Sequence, residues 1–365
     1  MSERKFISKW QFITMTMCFL MGIILRTSML GNVSGRDTWL IPLFGLIMFA
    51  PTVAVYCLLT RRYPGRNIYE INELIFGKAA GKVFTFLYLL FFLHVGSLNL
   101  MEMSNFSSIY LLNGTPAIVT TLMFCLISAY AIHKGVITIA RAPAAFLIVT
   151  LALFAANFVQ GVPQMRLEYL APVMAQKPDV YLQAAHISYT IMYGESLVML
   201  TFGDRLDTGR TSFTRCMLIA MPLVAVYFVV VYLRENLLLG SLTSYVRMPS
   251  FEASRMTGVS DHLQRTESIY SLLLLLYSLY SVMLNLYAAL RALKVMLGTN
   301  TRAMILPLSM FAAVYGIRVL YSPEDAFHLL AGEAPFLWQF FVTVLPLAAL
   351  VGSVVRRQKL PDPNF

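Results

Sequence analysis

The residues that could do chemistry in this chain lie inside apolar runs, and the densest group is Tyr189-Thr190-Ile191-Met192-Tyr193-Gly194-Glu195-Ser196. The surrounding run, about 180–202, is long enough to cross a bilayer. A carboxylate near mid-membrane is costly and faces a cavity or a partner. Gly194, directly before it, lets the backbone leave helical geometry. An interrupted helix survives in lipid only where its freed polar groups line a cavity or are buried in protein. The stretch therefore reads as half of a ligand site. The competing reading is a packed helix, with Gly194 at a helix contact and Glu195 bonded to a neighbour.

Two further charges fall within apolar runs. Arg26 lies a few residues beyond Gly22, and Glu102 sits at a similar depth in a later run. An ion pair removes the cost of two stranded charges, whereas a lone Arg26 would snorkel to the outer interface. Arg318 is nearer a helix end, where snorkelling is expected. His94 and His186 have no ligand-like companions and read as hydrogen-bonded packing residues rather than a proton relay. Asn99, Asn157 and Asn285 are of the type that joins helices in lipid. Cys18, Cys57, Cys125 and Cys216 all lie in apolar runs, with neither disulfide nor zinc spacing. No phosphate-binding loop, nucleophile elbow, paired metal-binding histidines or dinucleotide fingerprint is present, so the chain reads as a non-enzyme without metal or cofactor.

These residues must be positioned by membrane-spanning helices. The chain is 58% hydrophobic and 13% charged, the balance of an integral membrane protein. Its net charge of +10 sits in short loops rather than one patch, which argues against nucleic acid as a partner. The first apolar run is too long for a cleavable signal. Ten apolar runs are expected to be helices, at about 11–31, 38–60, 83–111, 116–133, 136–159, 180–202, 214–238, 268–296, 303–321 and 336–355. The fold class is therefore all-α, because helices satisfy their own backbone in lipid. Lys and Arg concentrate at alternate connections, among them Arg61, Arg62, Arg66, Lys78 and Lys82, which predicts cytoplasmic termini and a cytoplasmic 61–82 connection. The outer side would hold only Arg36, Arg166, Lys177, Arg234, Arg247, Arg255 and Arg265. Ile68 to Phe76 reads as a short amphipathic surface helix, apolar at 68, 71, 74 and 75. Pro178-Asp179 is a helix start, and Ser250 is a plausible N-cap for a short helix over the outer mouth. The sequons Asn32-Val33-Ser34 and Asn113-Gly114-Thr115 fall in outer loops and matter only in a eukaryotic secretory pathway.

The first and sixth runs each open a set of five and each carry a central glycine, Gly22 and Gly194. Interrupted helices at matching positions in two halves point to a LeuT-like 5+5 inverted repeat. The chain would then be one membrane domain, residues 1–365, made of repeats at about 10–160 and 178–356. The expected pocket is lined by Met21, Gly22 and Ile23, by Tyr193, Gly194 and Glu195, and by Asn99, Tyr277 and Tyr280. Arg26 and Glu102 are expected as a structural ion pair.

The chain also resembles the B subunit of the spore-germination nutrient receptors, the endospore germination permease family. The resemblance runs from about Lys9 to Arg357. It is carried by Arg61-Arg62-Tyr63-Pro64-Gly65 with Phe76-Gly77-Lys78, Tyr169-Leu170-Ala171-Pro172-Val173, Tyr193-Gly194-Glu195, Pro249-Ser250-Phe251-Glu252, and Arg265-Thr266-Glu267-Ser268 followed by Tyr287-Ala288-Ala289. That family is similar to the amino-acid/polyamine/organocation transporters. The resemblance implies a receptor for small nutrients, typically amino acids, in the inner membrane of the bacterial endospore. It also implies a receptor A subunit and a lipoprotein C subunit as partners. In the family the first span has a glycine-rich turn and a later proline; here Ile23-Ile24 follow Gly22, no proline follows, and Arg26 is unusual. The leading function is a germinant sensor that binds a small molecule at mid-membrane. The alternatives are an ion-coupled amino-acid transporter, in which Glu195 or Glu102 titrates, and a membrane anchor with no pocket.

Overall fold

The computed structural model describes residues 6–27, 30–112, 114–207, 212–257, 266–319 and 332–356. Asn113, Arg265 and Arg357, used above, lie outside the described residues. The described chain is helical apart from one isolated bridge, in which the Ile7 N–H donates to the Arg205 carbonyl at 2.8 Å. Seven helical stretches among the described residues are long and apolar enough to cross a membrane, so the protein is a multi-pass membrane protein. Of the ten expected spans, the three that fall short are the two interrupted ones and the ninth, described as Ile305–Val319.

The first span starts where Ser8 and Gln11 cap each other reciprocally. Helix α1 runs Lys9–Met21, breaks at Gly22-Ile23, and resumes as α2, Ile24–Thr27. A short helix α3, Leu30–Ser34, and a 3₁₀ turn, Gly35–Leu40, lead into α4, Ile41–Arg62. Helix α5, Ile68–Phe76, begins where the Asn67 side chain accepts the Tyr69 and Glu70 amides. It buries Ile68, Ile71 and Ile75 as expected, but Leu74 is exposed, and Tyr69 and Asn72 take the inner face instead. Helices α6, Lys78–Phe106, α7, Ala117–Lys134, and α8, Val136–Gly161, follow.

The sixth span is broken more thoroughly. It opens as α9, Pro178–Ile187, starting at the expected Pro178. A π-helical turn, Ser188–Tyr193, follows, and then a 12-residue 3₁₀ segment, Gly194–Arg205. Runs of 3₁₀ longer than 3–4 residues are uncommon and mark strain or a hinge. Helix α10, Phe213–Leu239, is followed by α11, Pro249–Met256. Ser250 is not its cap: Met248 holds that position, Pro249 fills the first turn, and the Ser250 hydroxyl donates to Glu235. Proline suits the first helical position because its missing N–H is not needed there. Helix α12, Thr266–Leu297, and α13, Ile305–Val319, come next. The last span is α14, Ala334–Gln339, a π turn at Phe340–Val344, and α15, Leu345–Val355.

Helices α6 and α12 make the most extensive contact of the fold, and α1 packs against α8, α10 and α12. Helices α1, α6, α10 and α12 are mostly buried, whereas α4, α7 and α8 leave apolar flanks such as Ile47, Leu126 and Ile148 exposed for lipid. At one end the Arg291 guanidinium on α12 grips Asp204 at 2.7 and 2.8 Å, tying the end of the 3₁₀ segment to the core.

Candidate functional site

The break after α1 delivers Arg26 into the centre of the bundle. Its side chain is fully buried, so it does not snorkel. The guanidinium spends its donors on three groups. Nε reaches both oxygens of Glu102 at 3.1 and 3.2 Å, Nη1 donates to Glu195 Oε1, and Nη2 donates to Asn99 Oδ1. The indole ring of Trp338, on α14, lies 5.2 Å from the guanidinium carbon. That distance allows a cation–π contact, which is stronger in a desolvated site. Asn99 in turn donates to Ser281 Oγ at 2.9 Å. The first, third, sixth, eighth and last spans therefore meet at one charged cluster.

The expected Arg26–Glu102 pair is present, but as part of a triad whose other carboxylate is Glu195. Among the described residues Glu195 Oε2 has no hydrogen-bond partner, although the residue is 1% exposed. Two neighbouring groups are also unmet among the described residues: the Ser196 hydroxyl, next in the chain, and Nε1 of Trp338. Buried polar groups are satisfied in the large majority of cases, so three on these elements call for a reason.

Gly22 adjoins this cluster through backbone rather than open space. Its carbonyl accepts from Ser278 Oγ at 3.0 Å, and a Cβ at Gly22 would fall on the Tyr277 carbonyl oxygen. A Cβ at Gly194 would come within 2.8 Å of Val342 Cγ1. Both glycines thus permit close helix contacts, with α12 and the last span respectively. Met21, the last residue of α1, and Ile23, within the break, are both buried. The three expected tyrosines spend their hydroxyls elsewhere. Tyr193 donates to the Pro42 carbonyl at 2.8 Å and stacks on Phe49. Tyr277 pairs with Thr150, and Tyr280 donates to the Ile139 carbonyl at 3.1 Å, both on α8. His94 and His186 are bonded packing residues, to the Tyr315 hydroxyl at 3.0 Å and to Gln339 at 3.1 Å. Arg318 is exposed in the last turn of its helix, as expected.

A second buried charge escaped the sequence reading. Arg234, counted above among outer-loop residues, is fully buried because α10 continues to Leu239. It donates to Asn157 Oδ1 at 2.8 Å, to the Ser250 carbonyl at 2.9 Å and to Ser254 Oγ at 3.0 Å. The rings of Tyr270 and Phe154 lie 4.8 and 5.7 Å from its guanidinium carbon. This one side chain holds α11 against α8, α10 and α12. The expected span, 214–238, already included Arg234, and the apolar Leu237-Leu238-Leu239 beyond it was the signal that this charge lies within the helix rather than in the outer loop. Trp338, Ser278 and Ser281 carried no sequence signal, since each is remote in the chain from the residues it meets.

Comparison with known proteins agrees with the resemblance noted above. A family model described as spore germination protein matches residues 6–325. The chain is 24% identical over 314 residues to spore germination protein KB of Bacillus subtilis (strain 168), covering 82% of this chain and 79% of that protein. Shorter similarities, 27% over 140 residues and 23% over 143, link it to spore germination proteins YndE and B2 of the same organism. They cover 38% and 39% of this chain, respectively, and 38% of each of those proteins. With a family match spanning most of its length and a bundle of membrane helices around it, the chain belongs to the spore germination protein family of multi-pass membrane permease-like proteins.

Proposed function

We propose that this protein is the membrane-embedded nutrient-binding subunit of a spore germinant receptor. The ligand is a small molecule, an amino acid, bound at mid-membrane where the first and sixth spans break. The observation that carries the reading is the buried Arg26–Glu102–Glu195–Asn99 cluster with Glu195 Oε2 left without a partner. An acceptor with no donor in a desolvated site is an unfilled hydrogen-bonding requirement, which a ligand can meet. The two broken spans agree with a LeuT-like 5+5 inverted repeat forming one membrane domain over residues 1–365, with halves at about 10–160 and 178–356. In this conformation the cluster is closed. Binding would favour a second arrangement of the broken spans by its higher affinity for it. Partner subunits, a receptor A subunit and a lipoprotein C subunit, would receive that change. The protein would sit in the inner membrane of the spore with both termini on the core side, in keeping with the basic residues of the 61–82 connection.

The test is germination of spores lacking this protein, and of spores carrying Glu195→Gln, across single amino acids and sugars. Loss of response to one nutrient, with the others unchanged, is expected for both strains. Unchanged responses to every nutrient in the deletion strain would refute the reading. A second reading, an ion-coupled amino-acid transporter, draws on the same unpartnered carboxylate. Uptake of labelled amino acid into proteoliposomes of the lone subunit separates the two, since a sensor accumulates none.

A further inference from the structure

The charges of the central cluster do not balance. It holds one guanidinium, Arg26, and two carboxylates, with Arg26 and Glu195 fully buried and Glu102 13% exposed. Counted as ionised, the cluster carries one net negative charge in the middle of a bundle that crosses a membrane. Such a charge is expensive unless it is neutralised. The guanidinium cannot supply more, because it carries a single positive charge however its five N–H donors are placed among Glu102, Glu195 and Asn99.

The surroundings contribute no second cation among the described residues. The first span offers Arg26, its other cation being Lys9 at the far end of α1. The third offers Glu102 and, further along, His94, whose Nδ1 is bonded to the Tyr315 hydroxyl at 3.0 Å. The eighth span contributes the neutral Ser278 and Ser281, and the last contributes Trp338. No group of three or more His, Cys, Asp or Glu side chains that could hold a metal ion occurs among the described residues. The cation that needs the fewest ligands is a proton, which one carboxylate oxygen holds by itself. The two carboxylates differ in how far they are satisfied: Glu102 offers both oxygens to Arg26, whereas Glu195 offers only Oε1.

We propose that the closed cluster binds one proton, held on Glu195 Oε2, so that Arg26 and Glu102 form a balanced pair and Glu195 is a neutral acid. A neutral carboxyl without a partner costs far less to bury than an ionised one. The nutrient reading bears only on the consequence: a ligand ammonium entering the cluster brings the same charge as the proton it replaces. The proton itself needs no nutrient, so this inference and the proposed function fail separately.

The test is infrared spectroscopy of the purified full chain in lipid bilayers at neutral pH, in H₂O and D₂O. The wild-type-minus-Glu195→Gln difference is expected to contain one carboxylic-acid C=O band that shifts in D₂O. Subtraction cancels the other buried carboxyls, Glu235 and Asp37. Glu102→Gln is expected to lose the same band, because Arg26 then balances an ionised Glu195, and it carries the test should Glu195→Gln not fold. Absence of the band from the wild type, or its survival in either variant, overturns the proposal.

Discussion

Arg26 and Glu102 were expected as a pair and occur as two members of a triad, and this changes what their removal costs. Arg26→Met takes the guanidinium from two carboxyl groups, Glu195 and Glu102, that are 1% and 13% exposed. Breaking a buried pair from one side costs about 3–5 kcal/mol, and the upper half of that range applies because Glu102 is left as an unpaired charge while Glu195 loses its hydrogen-bond donor as well. Glu102→Gln is far milder. It leaves a one-to-one Arg26–Glu195 pair, and the new amide oxygen still accepts from Arg26 Nε. The cost is about 1–1.5 kcal/mol, the difference between a charged and a neutral hydrogen bond. In the double variant only Glu195 is stranded, so the losses are less than additive by about 1–3 kcal/mol. The four free cysteines provide the assay, since all are buried and become reactive to a thiol dye on unfolding. Extending the size trend of soluble domains, each kcal/mol shifts the melting midpoint by about 2 °C. Arg26→Met should therefore lower it by roughly 8–10 °C and Glu102→Gln by roughly 2–3 °C. Equal shifts, or strictly additive ones, would refute the triad as the charge balance of this site.

Three other outcomes follow from the packing. Gly194→Ala should cost about 1–3 kcal/mol through overpacking against Val342, and Val342→Ala in the same chain should recover most of it; failure of that rescue in melting experiments would show that Gly194 serves another purpose. Arg234→Met removes the three hydrogen bonds that hold α11, so it should lower stability by roughly 3 kcal/mol and speed amide exchange in Pro249–Met256 above that of neighbouring helices. For topology, an introduced cysteine at the exposed Lys177 should react with an impermeant thiol reagent from outside, and one at the exposed Lys78 only after permeabilisation. The reverse pattern would invert the orientation.

The sequence by itself determined the class of molecule and most of its helices. Apolar runs of bilayer length leave no other solution, because lipid offers nothing to hydrogen-bond an open backbone. Local chemistry also placed the Pro178 start and α5, whose Asn67 cap acts on residues two and three positions away. Gly22 and Gly194 marked the two breaks for the same reason, since backbone freedom is a local property. Tertiary structure decided what those breaks are for. Each glycine meets a side chain or carbonyl from a helix far along the chain, and the hydroxyls of Tyr193, Tyr277 and Tyr280 turn to α4 and α8 rather than to the cluster. Charge pairing was half legible: depth along the runs matched Arg26 with Glu102, but the rotation of the broken sixth span that brings Glu195 to the same guanidinium is not a one-dimensional property. Arg234 shows the converse failure. It falls within an expected span yet was counted on the outer side because a charge near a helix end reads as solvent-facing, and only the packing of α11, Asn157 and Tyr270 around it makes burial of that charge tolerable. A side chain's partners in a bundle are fixed by where distant helices cross, and that is settled by the summed packing of all the spans.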